Sequence, residues 1–284
     1  MQKLREYLTQ VADANIYPDN KVVMLSELTK LPVRKGLERA ILSEGQIVNV
    51  VSLTYGHLPN EKFFTEVETQ LIQSDIEFTK RQYNRENRSF AVDYILNDDS
   101  YHVEIKNGMD KIKPMLRFTN SYDGSTKTSG NFGFFREVCS NGLHLGEAIQ
   151  GFSVKHIGNM PSFVLPHIQK TIDKFFNNEY YELKRKFNVL AETPITDLTE
   201  FVSFITKENN LFKFEKSDKN PLPSMLAQNV IDIIKDEALL LSTPPNLWHG
   251  YNAFNEVIHT KMKKSFDQQR KADTQVFNSI LSLA

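Results

Sequence analysis

One cysteine and seven histidines are the residues of this chain best suited to covalent or metal chemistry. Cys139 with His144, His156 or His259 would supply a thiolate and its base, and Asp123 would complete a small hydrolase or metal site. Their spacing matches no such motif. A nucleophilic cysteine needs an activating neighbour and a positioned base, whereas a lone cysteine more often packs as a small apolar group. No catalytic residue, metal ligand or cofactor is assigned, and the chain reads as a binding protein, with a Cys/His-dependent hydrolase as an alternative.

Binding chemistry is better represented. Lys80, Arg81, Tyr83, Arg85, Arg88 and Phe90 interleave cations with rings, and Lys106, Lys111, Lys113, Arg117, Lys127 and Arg136 follow. Between residues 80 and 136 ten Lys/Arg stand against seven Asp/Glu, a modest basic excess in a chain whose formal net charge is −1. On a sheet, such a set holds single-stranded nucleic acid, the cations following phosphates and the rings meeting base faces. The expected interface is Lys80, Arg81, Tyr83, Arg85, Arg88, Phe90, Lys113, Lys127 and Arg136. A second run, Lys261, Lys263, Lys264, Arg270 and Lys271, reads as a solvated helix face.

Two further stretches bear polar chemistry. Tyr122-Asp123-Gly124-Ser125 is a turn signature, and TSGNFG at 128–133 extends it as a flexible hairpin loop with exposed amides. Its glycine spacing fits neither a nucleotide-phosphate loop nor a dinucleotide fingerprint, so a plain loop is favoured over a phosphate cradle. FFREVCSNGLHLG, residues 134–146, admits a short helix ended by Asn141-Gly142 or a hairpin turning there. In NLWHGYNAFNEVIHTKMK, residues 246–263, Tyr251, Phe254, Ile258 and Met262 form an apolar helical stripe, while Trp248, Asn252, Asn255 and His259 form a second stripe. That stripe predicts a buried polar network.

The elements that must position these residues follow from periodicity. Residues 1–45 read as short helices and loops anchored by Leu25, Leu28, Leu31, Leu37 and Ile41. IVNVVS at 47–52 suits a strand, and Asn60 is placed to cap a helix over 61–74 with Phe64, Val67, Leu71 and Ile72 on one face. IEFTKRQY, SFAVDYIL, SYHVEIK and a stretch around 115–120 read as consecutive antiparallel strands, with a tight hairpin at NDDS. From residue 158 the spacing turns helical: one long helix beginning near Pro166 and running through Phe187, one capped by Thr196 or Asp197, one over 223–241, and one or two after His249. The predicted fold class is α+β, with an antiparallel meander and helices in the N-terminal half and a mainly helical C-terminal half. Segments 1–45, 46–157 and 158–284 are the expected divisions. No apolar run approaches the roughly 20 residues of a membrane span, no secretory leader is recognisable, and one cysteine agrees with a reducing compartment.

Asn120-Ser121-Tyr122-Asp123-Gly124-Ser125, then Phe135 through Leu143 (FREVCSNGL) and Val154-Lys155-His156, resemble a phage/plasmid-like family of unknown function. Tyr251-Asn252-Ala253-Phe254-Asn255-Glu256 with His259 looks like that family's closing motif. The resemblance covers roughly residues 46–260. It implies a gene carried by bacteriophages or plasmids and a product in the cytoplasm of the bacterial host. It also implies a structural motif of Asn120, Asp123, Gly124, Cys139, Asn141, Gly142, His156, Asn252, Asn255 and His259. The order of elements is also similar, at fold level only, to phage single-strand annealing proteins. Together these set the expectation of a non-enzymatic protein that binds single-stranded DNA in recombination or replication, as a homo-oligomer. The alternative from this resemblance is a structural or host-takeover protein acting through a phage or host protein partner.

Overall fold

The computed structural model describes residues 14–105, 110–136, 142–143, 151–174, 180–212 and 224–284, and the fold is α+β. Two compact units share the chain: unit 1 comprises Met1–Asp98, Met115–Phe132 and Gln150–Phe175, and unit 2 comprises Asp99–Pro114, Gly133–Ile149 and Phe176–Ala284.

Unit 1 opens with a three-stranded antiparallel sheet of β1 (Asn20–Met24), β2 (Arg39–Ser43) and β3 (Gln46–Val51), in that order. The helices and loops expected over 1–45 are thus replaced, in the described residues, by two strands and one helical turn, α1 (Leu25–Leu28). Of the expected anchors only Ile41 is fully buried, and Leu28, Leu31 and Leu37 are exposed. Their helical spacing was outweighed by long-range pairing of the β-branched Val22 and Val23 with Ile41 and Ala40. Glu44 and Gly45, with φ of 49° and 74°, form the two-residue link whose twist suits adjacent antiparallel strands.

The main sheet of unit 1 is antiparallel, in the order β10-β8-β7-β5-β4. Its members are β4 (Phe78–Arg85), β5 (Ser89–Leu96), β7 (Asp110–Ser121), β8 (Thr128–Arg136) and β10 (Phe152–Val154), while β6 (Val103–Ile105) pairs with the start of β7. The tight hairpin is not at NDDS, which leads into a single 3-10 turn at Asp99–Tyr101. It lies between β4 and β5, where Glu86 and Asn87 adopt φ of 53° and 55°. Side chains alternate across a sheet, so Phe90, Val92, Tyr94, Leu116, Phe118, Phe132 and Phe152 share one face. Helices α2 (Asn60–Gln73) and α3 (Met160–Lys174) contribute Phe63, Phe64, Val67, Leu71, Val164 and Ile168 to the same core, whereas Ile72 points to solvent. Rings interlock there: the Phe63 and Phe118 centroids are 6.1 Å apart, and those of Tyr94 and Phe118 5.9 Å.

TSGNFG is not a loop. Its residues form the buried centre of β8. Gly130 is required because a Cβ would come within 2.6 Å of both Phe118 and Phe152, so a residue that reads locally as loop punctuation makes room for two rings.

Unit 2 consists mainly of α4 (Tyr180–Glu192), α5 (Leu198–Glu208), α6 (Met225–Leu240), α7 (Leu247–Thr260) and α8 (Phe266–Leu281). The expected single helix from Pro166 to Phe187 is instead α3, starting at Met160 with Pro166 inside it, and α4, with 175–179 outside the described residues. The cap expected at Thr196 or Asp197 is Asp197, which accepts from Glu200 N, while the cap at Asn246, accepting from His249 N, and the capping box of Ser265 with Gln268 were not foreseen. Helix α7 is buried without interruption from Leu247 to Asn255, as befits the central helix of a bundle. Strand β9 (Gly142–Leu143) pairs antiparallel with Phe134 and Phe135, and residues 137–141, where a short helix or a hairpin is expected, lie outside the described residues. Among the described residues no helix is long and apolar enough to cross a membrane.

Candidate nucleic-acid interface

The face of the main sheet opposite the aromatic core is polar. Register places Arg81 beside Asp93 and Asp93 beside Arg117, with Tyr83, Ala91 and Thr119 aligned next to them and Arg85, Ser89 and Ser121 beyond. Thr119 Oγ lies 2.7 Å from Ser129 Oγ, which brings β8 into the same row, and Asn131 Nδ2 donates to Ser129 Oγ at 2.9 Å. The residues at the centre are small and buried.

Cations frame this row. Arg81, Arg85 and Arg117 are half-buried, and Arg88 and Lys127 are exposed at the end of the sheet where two turns meet. Those turns are tied together by Tyr122 N donating to Arg88 O at 2.7 Å. Asp93 grips Arg117 through both carboxylate oxygens, and the guanidinium sits 5.0 Å from the centroid of the Tyr83 ring. Burial, followed by the Asp93 charge, pushes the Tyr83 phenol well above its ordinary range, so at neutral pH it is an uncharged ring with a donor.

Not every expected interface residue is on this surface. Lys80 projects from the other side of β4 and pairs with Glu68 at 3.1 Å. Phe90 is fully buried in the aromatic core, 4.9 Å from Tyr122, because its place in the alternation points it inward. Lys113 is half-buried in the part of β7 that belongs to unit 2. Arg136 is fully buried in unit 2, where it pairs with Asp110 and with Glu237 at 2.6 Å. Neither Phe90 nor Arg136 has surface to offer a ligand on the sheet. Asp93 and Arg117 were missed as a pair, although period-two alternation in SFAVDYIL marks Asp93 as a charge on a buried strand needing a partner.

The motif residues divide between the units. In unit 1, Asn120 Nδ2 donates to Leu58 O and Asn60 Oδ1, both at 2.8 Å, and its Oδ1 accepts from Thr128 Oγ at 2.8 Å. Asn60 therefore does not cap α2: its side chain donates to Ile16 O at 2.6 Å, and Pro59 precedes the helix. Asp123 Oδ1 accepts from Ser125 N at 2.9 Å while Gly124 adopts φ 74°, the turn its sequence predicts. His156 Nε2 lies 3.0 Å from Thr126 O, and its ring stacks on Tyr55 at 5.4 Å. Nearby His57 is held down to about pH 4 by burial and then by the neighbouring His156 and Arg39 charges.

In unit 2, Trp248 Nε1 donates to Asp110 Oδ2 at 2.9 Å. His259 Nε2 and the Tyr251 hydroxyl lie 3.6 and 3.4 Å from the same Asp273 oxygen. Asn252 and Asn255 are buried on α7, but the network expected of the second stripe does not reach Asn252, neither of whose amide atoms is hydrogen-bonded. Gly142 is in β9, whereas Cys139, Asn141 and His144 lie outside the described residues, as does Lys106. Among the described residues no three of His, Cys, Asp and Glu gather as a metal site.

A family model described as a domain of unknown function (DUF932) matches residues 47–280. The chain belongs to the DUF932 family. No curated protein and no solved structure matches it. The DUF932 match begins at β3 and takes in both the polar sheet face and the buried α7 stripe, leaving β1 and β2 outside it.

Proposed function

We propose that this chain is a phage- or plasmid-encoded, non-enzymatic protein that binds single-stranded DNA along the basic end of the main sheet, in recombination or replication. The observation that carries the reading is one row of side chains. Arg81, Tyr83 and Arg85 on β4, Arg117 on β7 and Lys127 before β8 share a polar face, and Arg88 stands at its open end. An antiparallel sheet with cations at its rim and a ring among them suits a flexible strand better than a duplex groove, because each base offers a π-face and each linkage one charge. Arg81, Arg85, Arg88 and Lys127 would neutralise phosphates, and Tyr83 would meet a base.

The test is fluorescence anisotropy of a labelled single-stranded oligonucleotide at several salt concentrations. Four neutralised phosphates give a log–log salt slope of about −2.8 on a single strand, and Arg85→Ala with Arg88→Ala reduces it to about −1.4. No binding at low salt, or a slope unchanged in the double variant, would sink the reading.

A further inference from the structure

Strand β1 ends the three-stranded sheet of unit 1, with β2 on one side and, among the described residues, no strand on the other. Its register with β2 decides which backbone groups are already used. Glu44 N donates to Asp19 O and Leu25 N to Glu38 O, both at 2.8 Å, so residues 19, 21, 23 and 25 occupy the hydrogen-bonded pairs. The N–H and C=O groups of Asn20, Val22 and Met24 therefore point away from β2. Among the described residues no other backbone group meets them. Such an edge is a template for a further strand, which proteins commonly block with a proline or a bulge. Strand β1 contains no proline, and the irregularity of this sheet lies between β2 and β3.

The free edge is symmetric about Val22. Pro18 closes one end, because proline has no N–H and its carbonyl accepts from Asn20 Nδ2 at 3.2 Å. At the other end the chain turns into α1 at Leu25. Three outward residues remain, evenly spaced, with a β-branched side chain in the middle.

We infer that the protein forms a two-fold dimer in which β1 pairs antiparallel with β1 of a second copy, Val22 facing Val22. Two three-stranded sheets then become one. Asn20 of each copy faces Met24 of the other, and three facing pairs at two bonds each give six hydrogen bonds. A slip of two residues in either direction leaves only two such pairs, and one of the two slips sets Lys21 against Lys21. In the centred register Lys21, the only charge on the strand, lies opposite Val23 instead, with its aliphatic stem along that side chain. Met24, 38% exposed, gains a neighbour on its open side. A strand of another protein would meet the same bonds, but this self-matching favours a second copy. The inference stands apart from the DNA-binding reading, since β1 lies outside the basic sheet and outside residues 47–280.

The test is sedimentation velocity of the full chain without nucleic acid, from about 1 to 200 µM, a range suited to a small interface. Wild-type protein is expected to pass from monomer to dimer across it. Val22→Lys and Val22→Glu each set like charges face to face and should be monomeric alone. Their equimolar mixture should recover the dimer, because residue 22 is the one that faces itself. Should those variants fail to fold, Met24→Pro decides. Met24 already has φ −69° and its N–H points outward, so proline suits the monomer and keeps every bond between β1 and β2. Two of the six dimer bonds are lost, and association should weaken about tenfold or more with Tm of the monomer unchanged. A monomer at every concentration, a dimer indifferent to Met24→Pro, or folded residue-22 variants that do not complement one another would overturn the inference.

Discussion

Replacing Arg136 with methionine is the perturbation most directly fixed by the geometry. The side chain is fully buried, its Nε and Nη1 face Asp110 and Glu237, and its guanidinium lies 5.9 Å from the Trp248 ring. Methionine keeps most of the stem and removes the charge. Two carboxyl groups then share a space without a counter-charge, and breaking a buried pair in this way costs about 3–5 kcal/mol. At about 2–4 °C per kcal/mol for a chain of this size class, Tm should fall by roughly 6–20 °C. Trp248, the single tryptophan, is bonded to Asp110, so its fluorescence reports on this centre while circular dichroism follows the whole chain. The triple variant Arg136→Met, Asp110→Asn, Glu237→Gln removes all three charges together and should recover most of the loss, because neutral partners carry no uncompensated charge. A loss below about 1 kcal/mol in Arg136→Met, or a triple variant less stable than the single one, would refute the reasoning.

Other outcomes follow from particular contacts. Asn120→Asp turns an amide that donates to Leu58 O and Asn60 Oδ1 into an acceptor facing acceptors, and should cost about 2–4 kcal/mol in urea unfolding. Gly130→Ala drives a methyl group into Phe118 and Phe152 and should cost about 1–3 kcal/mol by the same measurement. His57, lowered from 6.5 to about 4, is neutral in the folded chain while the unfolded chain takes up a proton. Stability should thus fall as pH drops from about 6.5 to 4, by at most about 1.4 kcal/mol per unit, and level off below. His57→Gln, which keeps a donor for Asn20 Oδ1, should flatten that slope.

What the sequence disclosed was local. Helix α2, strands β4 and β5, and the cap at Asp197 follow from spacing and from side chains bonding within a few residues, so a window of a dozen residues contains their cause. The rest depends on distant partners. TSGNFG has the composition of a loop, and only Phe118 and Phe152, from two other strands, explain a glycine in a buried strand there. Asn60 looks like a cap and bonds instead to Ile16 and Asn120. Arg136 sits in a basic stretch, yet its partners are 26 and 101 residues away. Charge counted along the chain says nothing about which side of a strand a cation faces, which is why Phe90, Lys80 and Arg136 were assigned to a surface they do not reach.

The division of β7 and β8 between the two units has a consequence for anyone who tries to cut the protein apart. Unit boundaries fall after Asp98, Pro114, Phe132, Ile149 and Phe175, and two of them lie inside single continuous strands. No truncation from either end can then deliver one unit whole without severed pieces of the other. Deletion mapping, the usual way to assign an activity to a fragment, would return inactive aggregates here for reasons unrelated to the activity. Point substitutions in the intact chain are the tool that this connectivity permits.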